Sequence, residues 1–511
     1  MKGRKHMKLK LPDLKKELKR TLAAAMALSI TAASLVTAKV ETQAATMRDA
    51  WTITKDMKAG FNLGNSLESE IDETYWGNPK TTRAMIDKIR ERGFTTLRIP
   101  TRWDDHYTDS NYTIDPNYFI RVKEVVDYGI NNGMYVILNV HHNDIQTKVS
   151  TDSQVQEQVK NEYRIIWTQI ANYFKGYDDK LIFETINEPR KDEDWMGCEA
   201  LYDCTNEYNK AALEAIRATG GNNSERLVLL PTYCASSDEP KLAGWKNLTG
   251  DQHIAVSIHA YVPFDFAYEG KKTVWTDELH NELKSIFARY QKYFLSKGTP
   301  VVLGEFGSTN TGDLYLYARE QYTAAYAALG NSYGIPCAIW DNHRFETGTE
   351  NYGIFDRYSC TFRYDKIAEN LINAYGGSHS DDGGDPYNSL FWSESGKSAT
   401  NWKQAVSVET AKNGGSFKGS DITPGGYFYV EYSGTENELE FILQSYSPEK
   451  WSKVDRSESG SANGHYFAKY SYDNCVRAFG TSDFNSMLDK IHVGATTKKV
   501  TVYSVCYCYP R

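Results

Sequence analysis

The chain has 511 residues, with 58 Lys+Arg against 66 Asp+Glu and a formal charge of −8. That length allows roughly two to four domains at ~100–200 residues each. The 41% hydrophobic and 24% charged fractions exclude global disorder. The acidic balance excludes nucleic acid as the main partner, because phosphates require a basic face.

Residues 1–20 carry nine basic and two acidic side chains, and Thr21 to Ala38 carry no charge. A basic stretch followed by small apolar residues predicts a signal peptide over 1–38, with cleavage after Ala38 or, as a second option, Ala44. The alternative is an uncleaved anchor, for which eighteen mildly apolar residues are short. Cleavage after Ala38 shifts the formal charge to −15 and leaves a secreted, extracellular chain free of the membrane, expected as a monomer.

From Lys58 to about Tyr375, short apolar strands alternate with helical patterns. The expected strands are Ala59–Leu63, Thr95–Ile99, Tyr135–Asn139, Leu181–Thr185, Leu227–Leu230, Ile254–Ser257, Val301–Gly304 and Cys337–Trp340. Helices are expected over Thr82–Arg92, Tyr118–Asn131, Val155–Phe174, Tyr202–Arg217, Glu278–Leu295 and Tyr315–Leu329. Parallel strands need crossovers, so eight βα units predict an α/β fold, a closed (β/α)8 barrel over 51–375. No GxGxxG follows the first strand, which disfavours a dinucleotide fold.

Residues 376–386, GGSHSDDGGDP, read as a flexible linker. Residues 387–511 show short alternating strands between Gly/Asn/Ser turns, the pattern of a small all-β sandwich. They hold 21 Phe, Tyr and Trp in 125 residues. The eight cysteines match no zinc spacing, and no disulfide is assigned. Cys506 and Cys508 share one face of a strand and are not expected to bond each other.

In such a barrel, polar residues at the C-terminal strand ends line the active site. Here these are Arg98, the pair His141 and His142, Asn187 and Glu188, His259 and Tyr261, Glu305, and Trp340. A carboxylate at a buried strand end costs several kcal/mol unless paired or used. Two of them facing each other across a barrel mouth are the tools of retaining glycoside hydrolysis, one nucleophile and one acid/base. Arg98 beside Glu305 would keep that carboxylate ionised. Asn187 would donate to the sugar 2-OH, Tyr261 would hold the nucleophile, His259 would tune the acid/base, and Trp340 would stack on a pyranose ring. Adjacent strand residues point to opposite faces, so His141 and His142 are not expected to share a metal ion; one is expected to contact sugar. No metal or cofactor is expected.

The segment 51–375 resembles glycoside hydrolase family 5, in its bacterial endo-β-1,4-glucanase branch. The resemblance rests on GFNLGN (60–65), LRIP (97–100), LNVHH (138–142), TINEP (185–189), IHAY (258–261), GEFG (304–307) and IWDN (339–342), in the family's order. It implies Glu188 as acid/base and Glu305 as nucleophile, with Arg98, His141, Asn187, His259, Tyr261 and Trp340 completing the site. It also implies that Asn62 faces the sugar. Phe61 stands where many members have Trp.

The implied substrate is a β-glucan polysaccharide: cellulose, mixed-linkage glucan or xyloglucan. Long segments after strands one, two, four and six bring Trp76, Trp103, Trp195 and Trp275 toward the expected cleft, each either a sugar platform or packing under its own loop. Several platforms would mean an endo-acting enzyme. The C-terminal domain resembles a carbohydrate-binding module, with Trp392, Trp402, Trp451, Tyr446 and Tyr472 as candidate platforms; a non-catalytic spacer is the alternative. No dockerin-like calcium repeat is visible. The function expected is a secreted endo-β-1,4-glucanase, with a xyloglucan-specific enzyme or a non-catalytic polysaccharide-binding protein as alternatives.

Overall fold

A computed structural model describes residues 47–376, 389–415, 417–462 and 465–508; at 314, 389–395, 462 and 465 only the backbone is described. The expected signal segment and residues 377–386 of the expected linker lie outside the described residues. No helix among the described residues is long and apolar enough to cross a membrane.

Eight parallel strands close into a barrel: β1 (Ala59–Leu63), β2 (Thr96–Ile99), β3 (Tyr135–Asn139), β4 (Leu181–Glu184), β5 (Val228–Ser236), β6 (Ile254–His259), β7 (Val301–Phe306) and β8 (Cys337–Asp341). Strands β5, β6 and β7 run further toward the mouth than their apolar runs suggest. The residues added to β6 and β7 include His259 and Glu305, which carry the site. The helices start at side-chain caps: Thr82 accepts from the Met85 N–H, Asp152 from Gln154 and Val155, and Thr276 from Leu279. Polar caps and first turns carry no apolar periodicity, so the helices of 116–131 and 153–173 begin about two residues before the apolar pattern does.

Register sets the site before any side chain is considered. Asn62 on β1 lies beside Arg98 on β2 and beside Trp340 on β8. Asn139 on β3 lies beside Glu184 on β4, and His259 on β6 beside Glu305 on β7. The β6–β7 and β7–β8 pairings each shift register at these positions, which re-aims His259 and Glu305. Phe61 points the other way, edge-on to Phe94 at 5.3 Å and Phe355 at 6.2 Å in the core outside the strands. An aromatic of either kind serves that packing. After β8 come a two-stranded hairpin, β9 (Phe355–Asp356) and β10 (Thr361–Phe362), and the last helix of the barrel domain, Asp365–Ala374.

The C-terminal domain is a two-sheet sandwich. Its strands are β11 (Ser389–Ala399), β12 (Gln404–Glu409), β13 (Tyr427–Gly434), β14 (Leu439–Tyr446), β15 (Glu449–Lys453), β16 (Glu458–Ala462), β17 (His465–Ser471), β18 (Lys490–Ala495) and β19 (Val500–Cys508). One sheet runs β11-β19-β13-β17-β16 and the other β12-β18-β14-β15. Phe428, Phe441, Tyr470 and Tyr507 fill the space between them, which accounts for part of the domain's aromatic content. All eight cysteines are free; the Cys506 and Cys508 sulfurs lie 4.0 Å apart.

Candidate active site and glycan face

Arg98 is wholly buried and organises the floor of the barrel mouth. Its Nη1 donates to Glu305 Oε1 at 2.7 Å and to Asn62 Oδ1 at 3.0 Å. Its Nε and Nη2 both donate to Glu184 Oε2, at 2.9 and 2.7 Å, and Nη2 also reaches Asn187 Oδ1 at 3.0 Å. Tyr261 donates its hydroxyl to the other Glu305 oxygen at 2.9 Å. Burial pushes the Tyr261 phenol far up, so it stays a neutral donor.

Glu188 follows β4 in a left-handed backbone conformation, φ 35°, an uncommon state for a residue with a Cβ and one that collects at functional sites. Its Oε1 pairs with His259 Nδ1 at 2.8 Å. One carboxylate oxygen each of Glu188 and Glu305 and one ring nitrogen of His259 lie within 4.8 Å of one another. Burial disfavours charge on His259, but Glu305, Glu184 and Glu188 outweigh it and raise its pKa to about 9. Burial would raise Glu188 too, yet the bond and charge of His259 hold it below the usual range. Burial pushes Glu305 up, with His259 and Arg98 opposing and Glu188 adding to the rise. The cluster thus carries a proton on His259 at neutral pH, one hydrogen bond from Glu188.

His141 is buried, its ring stacked near Trp340 at 6.0 Å and 20°. Burial and the neighbouring His142, Arg98 and His259 hold it neutral. The Trp340 indole lies directly over the chain after β1: a Cβ on Gly64 would fall 2.6 Å from its ring, so only glycine fits there. Asn187 gives its carbonyl oxygen to Arg98, which leaves its NH2 as a donor.

Three sequence expectations need correction. Asn62 and Arg98 do not face sugar: both are 0% exposed. Asn62 spends its amide on the carbonyls of Gly304 (2.8 Å), Ala338 (3.2 Å) and Ile339 (3.3 Å) and its oxygen on Arg98, so both residues hold the carboxylates from beneath. His141 and His142 do not diverge. Both come after β3 has ended, His142 at φ 56°, and their rings sit 4.4 Å apart. The alternation of a regular strand does not apply there, and the exposed His142 meets Trp76 edge-on at 5.6 Å. Of the loop tryptophans, Trp103 and Trp275 are core, whereas Trp76 is half-buried and Trp195 is exposed beneath the Arg190 guanidinium at 4.3 Å.

The sequence reading missed Glu184, Asn139 and Ser257, which form a buried layer under the cleft. The signal was present as a lone acid inside the apolar run LIFE at 181–184. It also missed the buried pair Asp341–Arg357 (2.9 Å), which ties the loop after β8 to Ser66 in the loop after β1.

In the sandwich, Tyr446 (46% exposed) on β14 and Trp451 (50%) on β15 belong to the β12-β18-β14-β15 sheet, and the exposed Trp402 (62%) lies just before β12. Trp451 stacks on His492 at 4.7 Å and 16°. That imidazole is held by Ser407 (2.7 Å) and Gln444 (2.8 Å), and burial, with Lys490 adding, takes its pKa down to about 4. Lys453 lies 5.9 Å from the Trp402 ring, which places Trp402 beside the same sheet. Tyr472 instead packs against Phe484 at the core, contrary to expectation. Trp392 lies on β11, and its side chain is outside the described residues.

A closed (β/α)8 barrel with facing carboxylates at the ends of strands four and seven defines a glycoside hydrolase. Residues 57–346 match Cellulase (glycosyl hydrolase family 5), and residues 391–505 match Carbohydrate binding module 65 domain 1. Endoglucanase A of Clostridium longisporum is 40% identical over 370 residues, 66% of this chain and 68% of that one. Among solved structures, a GH5-4 broad-specificity endoglucanase from Clostridium cellulovorans aligns at TM-score 0.62 and 44% identity, over 64% of this chain and 97% of that one. A GH5 xyloglucan-specific endo-β-1,4-glucanase from a metagenomic library, solved with cellotriose, aligns at TM-score 0.60 and 36% identity, over 63% and 98%. The chain belongs to glycosyl hydrolase family 5 and carries a module of carbohydrate-binding family 65.

Proposed function

We propose that this protein is an endo-acting, retaining β-1,4-glucanase of broad β-glucan range. The observation that carries the mechanism is the Glu188–Glu305 approach within 4.8 Å, with Arg98 and Tyr261 donating to Glu305 and His259 to Glu188. Retaining enzymes hold their carboxyl groups ~5–5.5 Å apart and inverting ones ~6.5–9.5 Å. In the first step a Glu305 oxygen attacks the anomeric carbon. The bond to the leaving glucan breaks, and Glu188 passes the proton it shares with His259 to the leaving oxygen. In the second, Glu188 takes a proton from water, which attacks the anomeric carbon and frees the Glu305 carboxylate. The neutral Asn187 amide donates to the sugar, and the neutral His141 backs Trp340.

The exposed Trp402, Tyr446 and Trp451 form a sugar-stacking face on the module, which holds the enzyme on the polymer. The broad-specificity endoglucanase from Clostridium cellulovorans supports breadth of substrate, with xyloglucan, the substrate of the metagenomic enzyme, as the narrower alternative. We further propose that the chain acts as a secreted monomer; the basic and apolar pattern of residues 1–38 supports export.

Reducing-sugar release from carboxymethylcellulose, barley β-glucan and xyloglucan tests the activity, and NMR of the first-formed anomer tests retention. Hydrolysis of all three with β-anomers is the expected result. Cleavage of none would overturn the enzyme reading, and first-formed α-anomers the retaining one. Xyloglucan alone would narrow the substrate.

A further inference from the structure

We propose that Glu184, which no sugar can reach, is a positioning residue: the fixed anion that aims Arg98 at Glu305 and keeps the proton on His259. The inference rests on the roles proposed for Glu188 and Glu305.

Glu184 is 0% exposed, and each of its oxygens is engaged. Oε2 accepts from Arg98 Nε and Nη2 and from Asn139 Nδ2 at 2.9 Å. Oε1 accepts from Ser257 at 2.5 Å, and His259 Nε2 lies 3.9 Å away. This two-donor clasp fixes the guanidinium plane, and the remaining Nη1 is thereby aimed at Glu305.

The groups facing His259 define what Glu184 does for it. From β4 and the turn after it come Glu184 and Glu188, from β7 Glu305, and from β2 Arg98, whose Nη2 is 3.4 Å from His259 Nε2. His141, after β3, adds a neutral ring, and Ser257 lies on the same strand as His259. On the Nε2 side, then, His259 meets one cation, Arg98, and one anion, Glu184. Without that anion only Glu188 and Glu305, on the Nδ1 side, would offset the repulsion from Arg98, and the proton destined for Glu188 would leave at lower pH. The same loss would turn Arg98's full charge onto Glu305 and lower its titration as well.

A merely structural Glu184 would change stability or scale all rates together. The proposed role moves both limbs of the pH profile toward acid. The test compares the full chain with Glu184→Gln and Glu184→Asp, reading kcat/KM on an aryl β-cellobioside from pH 4 to 10. In Glu184→Gln the alkaline limb is expected about one pH unit or more lower, so the ratio of rates at pH 10 and pH 6 falls about tenfold or more. Glu184→Asp, which keeps the charge, should restore part of it. A second measurement needs no variant: in the parent, NMR of the His259 ring should show titration well above the ordinary ~6.5. A Glu184→Gln profile superposable on the parent's, a uniform loss at all pH, or a His259 midpoint at or below 6.5 would overturn the proposal. Those outcomes leave the roles of Glu188 and Glu305 standing. Polymer hydrolysis surviving in Glu188→Ala or Glu305→Ala would instead overturn the functional reading beneath it.

Discussion

Tyr261 donates to Glu305 Oε2 at 2.9 Å, the one oxygen of that carboxylate that Arg98 does not take. Each oxygen of the proposed nucleophile therefore has its own donor. A hydrogen bond to a charged group contributes about 1.5–3 kcal/mol. Tyr261→Phe is expected to lower kcat about 10- to 100-fold with little change in KM, as steady-state kinetics on a soluble β-glucan will show. An unchanged kcat would mean that the phenol serves packing alone.

Asn62 behaves as part of the scaffold. Its replacement by Ala removes the one amide that donates to the buried carbonyls of Gly304, Ala338 and Ile339, and removes one acceptor from Arg98. Leaving buried groups unpaired costs about 1–3 kcal/mol. Urea unfolding of Asn62→Ala should show a loss of that size together with a lower kcat. A higher KM with full stability would restore Asn62 to the sugar-contacting set.

Asp341 and Arg357 form a buried ion pair, 0% and 1% exposed. Asp341 also accepts from the backbone N–H groups of Ile354 and Phe355, and Arg357 reaches the Ser66 hydroxyl at 2.7 Å. Removing one partner from such a pair costs roughly 3–5 kcal/mol, because the other charge is left stranded. Arg357→Met is expected to lose that much in urea unfolding. The double variant with Asp341→Leu should lose less than the two single changes added together. Simple additivity would show that the pair carries no coupling.

The module's aromatic face makes an opposite forecast. Trp402 and Trp451 are half or more exposed, so alanine at either should shift unfolding by no more than ~0.5 kcal/mol. Glucan affinity, read by affinity electrophoresis of the full chain, should fall about tenfold at each, ~1.4 kcal/mol. Hydrolysis of short oligosaccharides should be untouched. Retained affinity in the double variant would remove this face from glycan binding.

Stability should decline on the alkaline side. Folded His259 holds its proton to about pH 9, against an ordinary ~6.5 for the unfolded chain. Its contribution is therefore fully present below about pH 6.5 and is lost as pH rises through about 9. Glu184, for which burial is outweighed by Arg98 and His259, titrates near 2; its contribution holds above the ordinary carboxylate value and fades as pH falls toward 2. Thermal unfolding should thus show a Tm falling between pH 6.5 and 9, with a flatter fall in His259→Gln. A Tm level across that window would contradict the assignment.

The barrel and the facing carboxylates were legible because their signals are local: apolar runs, periodic helices, and motifs at strand ends. What the sequence hid is depth. Arg98 and Asn62 look like cleft residues in LRIP and GFNLGN, and only the register that sets them side by side shows that they spend every polar atom on protein partners. His141 and His142 stand two and three residues past the end of β3, where the alternation of a strand no longer holds and no local pattern marks the change. Trp103 and Trp275 carried no mark to separate them from Trp76 and Trp195, since a loop aromatic's burial depends on what folds over it. Asp341 and Arg357 meet across 15 intervening residues, and no local pattern announces such a pair.

Of the eight free cysteines, Cys198 alone is exposed; Cys360 is half-covered and the rest are buried. It caps the helix 199–218, ten residues beyond Glu188, at the end of the loop that carries Trp195. The unmodified protein thus offers a single ready thiol for a maleimide dye at the rim of the cleft. An optical reporter of polymer entering and leaving needs no engineered residue.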